Sequence, residues 1–272
     1  MRFPLPDIQD CISRLSNKTI FSNIDIKEAF HSLEVHKDSQ DKTSITTQWG
    51  NYKFTRASFG LKNVPAFWSK MIGKVFQPLN ASNFFIHFLD DGMVFSNDFD
   101  THLLQFRTVL GVLVDNGLIL QLPKCNIIKP EVDFLGFTIS TEGVRPIKRS
   151  VNIINKIPYP STIKELRAIL GKFNYYKHYI RNFANIAAPL TNLLQGHDSK
   201  LKHTEMILDK GAKEAVDILK QKLISAPILS IPDWYGKPFH LYTDSSSNAI
   251  GVVITQEQNQ TEKVLLFDSK KN

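Results

Sequence analysis

Residues 84–96 read Phe-Phe-Ile-His-Phe-Leu-Asp-Asp-Gly-Met-Val-Phe-Ser, two apolar runs on either side of an acidic pair. The runs predict strands at residues 84–88 and 93–96, joined by a turn at residues 89–92. Asp-Gly is a favoured hairpin turn, so an ordinary solvated turn would also produce this pattern. Two carboxylates about 4 Å apart repel by roughly 4 kcal/mol at an effective dielectric near 20, and a divalent cation would relieve that repulsion.

A third acid, Asp25, lies in another apolar, strand-like run. Alternation along the strand puts Ile24 and Ile26 on one face and Asp25 on the other. Carboxylates are unfavoured within strands, so this position needs a reason. A strand with one aspartate beside a hairpin that carries Asp90 and Asp91 would bring three carboxylates together. Oxygen ligands of this kind suit Mg²⁺, and a pair of such ions supports in-line phosphoryl transfer.

The rest of the pattern predicts a mixed α+β fold. In the first half we expect a hairpin at residues 43–48 and 52–55, helices at residues 65–75 and 102–116, and a strand at residues 132–140. In the second half, Thr162-Ile-Lys-Glu165 is a capping-box pattern that opens a helical region running to about residue 223. Strand-like runs at residues 239–243 and 249–256 follow, and the last residues read as a short polar tail.

Positive charge is concentrated in one segment of the chain. The whole chain has a net charge of +7, and residues 144–182 carry nine Lys or Arg and one acid, Glu165. Tyrosines and a phenylalanine are interleaved with these basic residues. A basic stripe with aromatics suggests a nucleic-acid backbone as partner. A solvated helix face would account for the charges equally well.

Several classes of protein are excluded by the composition. No run of about 18 apolar residues is present, so we expect no membrane span. The first residues resemble neither a secretion signal nor a transit peptide. Cys11 and Cys125 are far apart in sequence and fit a reducing compartment. The histidines show no zinc-ligand spacing.

Short motifs along the chain occur in an order typical of one family. They are Asp25-Ile-Lys-Glu-Ala-Phe-His31, Phe59-Gly-Leu-Lys-Asn-Val-Pro-Ala66, Phe88-Leu-Asp-Asp91, Phe134-Leu-Gly-Phe137, Glu142-Gly-Val-Arg-Pro146, Lys164-Glu-Leu-Arg167, Asn174-Tyr-Tyr-Lys177, Ile180-Arg-Asn-Phe183, Ala187-Ala-Pro-Leu-Thr191, Ser225-Ala-Pro227 and Tyr242-Thr-Asp-Ser245. Together they resemble the polymerase of gypsy-type long-terminal-repeat retrotransposons, within the wider retroviral reverse transcriptase family. The resemblance covers essentially the whole chain.

This resemblance implies a right-hand polymerase fold with a helical thumb, followed by a truncated RNase H-like α/β segment. Residues 1–143 would form the palm and N-terminally incomplete fingers. Residues 144–199 would form the thumb. Residues 200–272 would hold a connection helix and the N-terminal part of the RNase H-like domain.

The resemblance also implies roles for individual residues. Asp25, Asp90 and Asp91 would be both the catalytic residues and the ligands of two Mg²⁺ ions, with Mn²⁺ as an alternative. The other implied sites are nucleotide binding by Ile26, Phe30, Phe59 and Gly60; a primer grip at Phe134, Leu135 and Gly136; nucleic-acid backbone contacts by Lys148, Arg149, Lys164, Arg167, Lys172, Lys177 and Arg181; and an incomplete RNase H-like site at Asp244. Phe30 matches the steric gate against a ribose 2′-OH, although a core aromatic is the alternative.

The sequence departs from the family pattern in places. Phe88 replaces a tyrosine, which removes no metal ligand, and Gly92 replaces an apolar residue, which we expect to loosen the hairpin. The chain begins at Pro4-Leu-Pro6 without the basic fingers segment that grips the triphosphate. Asp268 does not match a further RNase H acid, so we expect no RNase H activity. We also expect the strands at residues 239–243 and 249–256 to be partly unpaired, because the RNase H-like fold would be incomplete.

These expectations combine into a leading hypothesis and two alternatives. The chain would be an RNA-directed DNA polymerase module of a retrotransposon Pol polyprotein, adding dNTPs to a primer 3′-OH by a two-metal mechanism. An inactive relic that only binds nucleic acid, or a decayed fragment that folds poorly, would be the alternatives. Expected partners are an RNA/DNA template–primer, dNTPs and the protease, RNase H and integrase of the polyprotein, but no membrane. The expected location is a cytoplasmic virus-like particle or the nucleus, without secretion.

Overall fold

The computed structural model of the chain describes residues 8–80, 83–195, 205–246 and 249–271. It divides into a first unit, Met1–Phe134, and a second unit, Leu135–Asn272. Pro4-Leu-Pro6 and the expected boundary between residues 199 and 200 lie outside the described residues. The three-part division into palm with fingers, thumb and RNase H-like segment stays a prediction.

The first unit mixes short helices with antiparallel strands, as the sequence predicts. Its strands are β1 Ile20–Asp25, β2 Ile45–Thr47, β3 Gly50–Tyr52, β4 Phe85–Phe88, β5 Asp91–Ser96, β6 Asn126–Lys129 and β7 Glu131–Phe134. Its helices are α1 Ile8–Ser13, α2 Lys37–Gln40, α3 Val64–Val75, α4 Gln77–Asn80 and α5 Phe99–Asp115, with 3-10 turns at Ala29–Ser32, Asp41–Thr43 and Leu122–Lys124.

One sheet of this unit, with strand order β4-β5-β1-β6, has β5 and β1 at its centre. Alternation gives β1 a buried face, and Ile24 on that face packs with Trp68 of α3 and Val109 of α5 in one apolar core. The helix α5 is capped by Asp98, whose side chain accepts a hydrogen bond from the Thr101 N–H. The two helices therefore cover one face of the sheet.

The acidic hairpin turns one step earlier than the sequence suggests. Phe88 pairs with Asp91, so Leu89 and Asp90 alone form the turn, and Asp91 and Gly92 already belong to β5. Leu89 has a φ of 56°, a left-handed conformation unusual for a leucine. The expectation of an Asp-Gly turn was therefore wrong. Gly92 lies in the strand instead and packs against core side chains, as described below.

The second unit begins with a hairpin, continues through helices and ends in a sheet. Its strands are β8 Phe137–Ser140, β9 Gly143–Pro146, β10 Phe239–Ser245, β11 Ala249–Gln258 and β12 Thr261–Lys271. Its helices are α6 Lys148–Asn155, α7 Ile163–Tyr175, α8 Phe183–Asn192 and α9 Lys210–Ile224, with a 3-10 turn at Lys177–Tyr179. The side chain of Thr162 caps α7 by accepting from the Glu165 N–H at 3.2 Å, as the capping-box pattern predicts.

The strand expected at residues 132–140 is interrupted. Leu135 and Gly136 have φ values of 47° and 80°, so these two residues form a turn and not a continuous strand. The motif that follows also has a packing reason. Gly143, at φ 132°, has no room for a side chain because the backbone carbonyl of Leu229 lies against it, and Val144 exchanges hydrogen bonds with Leu229.

The end of the chain is a strand and not the polar tail expected from the sequence. β12 pairs with β11 along its length, and β11 pairs with β10 on its other side. β12 thus completes a three-stranded antiparallel sheet in which β11 is paired on both sides and β10 forms an edge. The expectation of partly unpaired strands is therefore wrong for β11, whereas β10 pairs on one side alone among the described residues. Within the described residues, none of the helices has the length and apolar character needed to cross a membrane.

Candidate active site

Three acids meet at one end of the central strands of the first unit. Asp25 is the last residue of β1, and its Cα partner across the ladder is Asp91, the first residue of β5. The Ile26 N–H donates to the Asp90 carbonyl at 3.2 Å, which brings the hairpin turn against the end of β1. Directly paired residues have Cβ atoms about 5 Å apart on the same sheet face. Asp25 and Asp91 are therefore neighbours across the ladder, with Asp90 in the adjoining turn. Their roles as catalytic and metal-binding residues stay predictions.

The negative charges of these acids repel one another. Burial, followed by the charges of Asp90 and Asp25, raises the pKa of Asp91 to about 6. Lys124 acts in the opposite direction on Asp91, and its ammonium lies 3.5 Å from Oδ2 of Asp25. The side chain of Asp25 is only 19% exposed, whereas that of Lys124 is 58% exposed. The site is thus short of positive charge even with this lysine beside it.

Gly92 allows the two acidic strands to approach each other closely. It pairs with Ile24 on β1, and a Cβ at this position would stand 2.9 Å from Ile24 Cγ1 and 3.2 Å from Phe85 Cε2. These distances leave no room for the larger apolar residue of the family pattern, and the expectation that Gly92 loosens the hairpin stays a prediction. The glycine is the residue that fits between two core side chains, directly after Asp91.

A buried hydrogen-bond chain behind the acids was not anticipated from the sequence. His102 is fully buried, with Nε2 2.7 Å from Ser22 Oγ and Nδ1 2.9 Å from Ser96 Oγ. Ser96 donates its hydroxyl proton to Gln105 Oε1 at 2.5 Å, so it must accept from Nδ1–H. Ser22 accepts from the Ile128 N–H at 2.8 Å and can donate to Nε2. Every group is satisfied by a neutral, Nδ1-protonated imidazole.

This chain joins the two strands that carry the acids. Ser22 lies on β1, three residues before Asp25, and Ser96 ends β5, which begins at Asp91. Burial lowers the pKa of His102, in agreement with a neutral ring. Serines in alternating register with apolar strand residues, and a histidine on the apolar face of α5, were the available sequence signals.

The predicted nucleotide-binding residues lie in different environments. The ring of Phe30 contacts that of Phe59 edge to face, with centroids 5.7 Å apart, and Phe30 also packs on the apolar core. Phe59 is 73% exposed, and the exposed Gly60 after it has a φ of 88°. Ile26 is buried in the core, so only its backbone is available to a nucleotide. The roles of all four residues stay predictions.

The predicted primer grip falls at the boundary between the two units. Phe134 is buried and closes the first unit, while Leu135 and Gly136 open the second. Within the second unit, Tyr175 Oη donates to the Leu135 carbonyl at 2.5 Å and Tyr176 Oη donates to the Gly136 carbonyl at 3.1 Å. Two side chains from the end of α7 thus hold this turn.

The predicted backbone-contact residues are divided by the structure into groups. Five are exposed: Lys148, Arg149, Lys164, Lys172 and Arg181. Arg167 is half-buried. Lys177 is also half-buried, and its ammonium pairs with Asp268 Oδ1 at 3.1 Å, so it is directed at β12. Contact with nucleic acid stays a prediction for the set, and among its members Lys177 is the least suited to it because its charge is already paired with Asp268.

Asp244 differs from Asp25 in having no acid opposite it. Its Cα partner on β11 is Gly251, whose own partner on β12 is Ser269. Asp268 pairs with Val252, one step along the ladder, and so its side chain is on the other face of the sheet from Asp244. Among the described residues of this sheet, Asp244 therefore gains no second carboxylate.

The three acids of the first unit suit a divalent cation only in part. Among the described residues, no three Asp, Glu, His or Cys side chains are placed to hold one ion by themselves. Magnesium in phosphoryl-transfer sites is bound by one or two carboxylates and completes its shell with water and substrate phosphates. Asp25 and Asp91 on one sheet face, with Asp90 beside them, fit such a partial set of ligands.

Comparison with known proteins shows which family the chain belongs to. A family described as "Reverse transcriptase (RNA-dependent DNA polymerase)" matches residues 1–139, and an "RNase H-like domain found in reverse transcriptase" matches residues 208–272. The chain is 34% identical, over 98% of its length, to the Drosophila melanogaster "Retrovirus-related Pol polyprotein from transposon opus". It is 36% identical, over 94% of its length, to the corresponding polyprotein from transposon 297 of the same organism. It spans about a quarter of these relatives, 27% and 23% of their lengths.

Solved structures show the same fold. A foamy viral protease-reverse transcriptase in complex with ds DNA matches the whole chain with a TM-score of 0.85 and 22% identity, over 46% of its own length. The same kind of protein in complex with an RNA/DNA hybrid matches with a TM-score of 0.80 and 23% identity, over 36% of its length. The mixed α+β polymerase fold expected from the sequence is confirmed. The chain belongs to the reverse transcriptase (RNA-dependent DNA polymerase) family, with an RNase H-like sequence in its last part.

Proposed function

We propose that this chain is the RNA-directed DNA polymerase module of a retrotransposon Pol polyprotein, adding dNTPs to the 3′-OH of a primer. The observation that carries the proposal is the pairing of Asp25 with Asp91 across the ladder, with Asp90 in the adjoining turn. The similarity to Pol polyproteins along nearly the whole chain supports the same function. It gives no support to the alternative of an inactive relic.

The residues of the site have separate tasks in this reaction. Two divalent cations, when bound, would activate the attacking hydroxyl and stabilise the leaving oxygen. Asp25 and Asp91 provide carboxylates on one sheet face, and Asp90 adds a third from the turn. Asp91 must lose its proton to act as a ligand, and burial together with the charges of Asp90 and Asp25 raises its pKa to about 6. Lys124 supplies positive charge beside Asp25.

Phe30 would select deoxynucleotides. Its ring is held between the apolar core and the edge of Phe59, so it cannot easily turn aside for a 2′-OH. Replacing it by a smaller side chain, Phe30→Val, should let ribonucleotides in. Comparison of dNTP and rNTP incorporation by wild type and variant measures this selection.

The template–primer would contact the basic helices of the second unit. Lys164 and Lys172 are eight residues apart on the exposed side of α7, whose opposite side is buried through Leu166 and Phe173. Such a row of charges contacts phosphates without reading sequence. The foamy viral structures with bound duplexes support this assignment. The remaining parts of a Pol polyprotein would be its partners, within a cytoplasmic virus-like particle.

A primer-extension assay with Mg²⁺ tests the polymerase proposal. The wild-type chain should extend a primer on an RNA template, and Asp90→Asn should reduce the rate by at least about a hundredfold. Asp100→Asn, in the exposed first turn of α5, is the matched control and should extend as the wild type does. Equal extension by the Asp90 variant would overturn the proposal, as would a wild type that adds no nucleotide.

The salt dependence of duplex binding tests the basic helices separately. Lys172→Gln should reduce the slope of log K against log salt by about 0.9, since one phosphate contact is lost. Lys177→Gln removes a charge from the same segment but one that is already paired with Asp268, so it should leave the slope unchanged. Equal slopes for Lys172→Gln and wild type would remove α7 from the binding surface.

A further inference from the structure

The turn at Leu135 and Gly136 is the predicted place where the primer terminus is held, and it has an unusual backbone. Two successive residues have positive φ values, 47° and 80°. Leucine rarely adopts this conformation without support from its surroundings. The position of the turn therefore depends on what contacts it.

Two neighbouring tyrosines provide that contact, and we name Tyr175 and Tyr176 the tyrosine pair. Tyr175 donates to the Leu135 carbonyl and Tyr176 to the Gly136 carbonyl, at 2.5 and 3.1 Å. Successive carbonyl groups of one turn are thus each held by a separate hydroxyl. Rotation of either peptide plane would break one of these bonds.

The close approach of the tyrosines also explains the glycine. A Cβ on Gly136 would lie 3.0 Å from Tyr175 Cε1, 3.2 Å from Tyr175 Oη and 3.3 Å from Tyr176 Oη. Any larger residue would push the pair away from the turn, in addition to the strain at positive φ. The Ile147 N–H donates to the same Gly136 carbonyl at 3.2 Å, which fixes it from a second side.

The rings of the pair are themselves fixed by stacking. Phe137, the residue after the turn, stacks on Tyr175 with centroids 5.5 Å apart and meets Tyr176 edge to face at 5.5 Å. Tyr179 stacks on Phe137 at 5.7 Å. Aromatic contacts of this kind add to the apolar area that they bury. The hydroxyls therefore have little freedom to leave the turn.

The tyrosine pair lies at the end of the helix that carries the basic row. Tyr175 is the last residue of α7 and Tyr176 is its C-cap, while Lys164 and Lys172 lie on the exposed side of the same helix. The two hydrogen bonds therefore connect the turn directly to the end of the helix that carries these lysines.

We propose that Tyr175 and Tyr176 are positioning residues that lock the Leu135–Gly136 turn to α7. The contact of α7 with the duplex backbone and the contact of the turn with the primer terminus are then made and lost together. This rests on the proposed polymerase function. The pair touches no reacting atom. Its effect is on how long the primer end stays in place, and not on the chemical step.

Variants that keep the rings and remove only the hydroxyls test the proposal. Tyr175→Phe and Tyr176→Phe should each lower processivity, the number of nucleotides added per binding event. Primer dissociation should become faster by roughly fivefold for each lost hydrogen bond. The rate of a single addition in preformed complexes and the KM for dNTP should stay within about twofold of wild type. Tyr159→Phe, which loses an exposed hydrogen bond to Asp217, is the control and should change none of these.

The outcomes separate this proposal from the proposed function. A double variant with wild-type processivity and primer dissociation would overturn the positioning role, and so would an equal loss in every rate together with a lower Tm, since that is a general loss of structure. A wild type without extension defeats the polymerase function. In that case, preference for a recessed 3′-end over a blunt duplex of equal length becomes the measurement. The positioning role then fails if wild type and double variant show the same preference.

Discussion

Two strands of this molecule carry an aspartate within an apolar run, and only one of them meets other acids. Asp25 ends β1 opposite Asp91, whereas Asp244 on β10 lies opposite Gly251. The strand β1 is central in its sheet, while β10 is at an edge and exposed along its length. An aspartate in a strand is therefore not a site by itself. What makes a candidate site is the register that sets a second carboxylate on the same face.

The sharpest test of this contrast exchanges each aspartate for its neutral isostere. Asp25→Asn should lower primer extension by at least about a hundredfold, because a carboxylate facing Asp91 is lost. Asp244→Asn should leave extension unchanged. Rates are measured in the same assay with both purified proteins. A large loss with Asp244→Asn would show that the two strands are not as different as their registers suggest.

A second prediction concerns the hydrogen-bond chain that joins β1 to β5. His102→Ala should lower the free energy of unfolding by about 3 kcal/mol, since it leaves Ser22 and Ser96 without their partner and opens a cavity. Urea unfolding measures the loss. His36→Ala, at an exposed position, should stay within about 0.5 kcal/mol of wild type and serves as the control.

The same histidine predicts a pH dependence. Its pKa in the folded chain is lowered from 6.5, so the unfolded chain takes up the proton first as the pH falls. The stability that His102 contributes is therefore complete above pH 6.5 and is lost as the pH falls toward the lowered value. His102→Ala should remove this part of the pH dependence. If the free energy of unfolding of the variant fell below pH 6.5 in the same way as that of wild type, the neutral His102 ring would be contradicted.

A third prediction tests the close approach of the acidic strands. Gly92→Ala should destabilise the fold by about 2 kcal/mol, because the new methyl group would meet Ile24 at 2.9 Å. Gly111→Ala, on the exposed side of α5 with open space around it, should instead stabilise by up to about 1 kcal/mol. Thermal unfolding of the two variants compares them directly. A tolerated methyl at Gly92 would mean that β1 and β5 can separate at little cost.

The smallest expected effect comes from the repulsion at Asp91. The pKa of Asp91 rises from 3.8 to about 6 on folding, because the folded chain favours the protonated carboxyl. Its favourable contribution to the free energy of unfolding is therefore present below pH 3.8 and is lost as the pH rises through about 6. Asp91→Asn should therefore raise the Tm by about 3 °C at pH 7 in chelator, with a smaller gain at pH 4. The gain should level off above pH 7. A gain that is equal at every pH would argue against a raised pKa.

The sequence allowed prediction of the three acids because carboxylates within apolar strands are energetically unfavourable and therefore stand out in the sequence. It also allowed prediction of the helices at residues 65–75 and 102–116, which the structure has as Val64–Val75 and Phe99–Asp115. Periodicity and capping residues are local signals, so they can be read without knowledge of distant neighbours.

What could not be predicted has tertiary causes. The Leu135–Gly136 turn was hidden in an apparent strand because its support comes from Tyr175 and Tyr176, 40 residues further along. The role of Gly92 depends on Ile24 across the ladder. The His102 chain needs partners from β1, β5 and β6 to be in place at once. Local sequence therefore cannot specify these interactions, although the serines in the strands and the histidine in α5 are a signal for the last of them.

The strand β12 has a practical consequence for cutting the chain into fragments. Its Asp268 holds Lys177, its Ser269 accepts from the Ala184 N–H at 2.8 Å, and its Phe267 carbonyl contacts His178 at 2.9 Å. A shortened protein that stops before Thr261 would release three anchors of the segment between α7 and the start of α8. Deletions aimed at the RNase H-like end should therefore keep residues 261–271, because their loss would disturb α7, α8 and the segment between them.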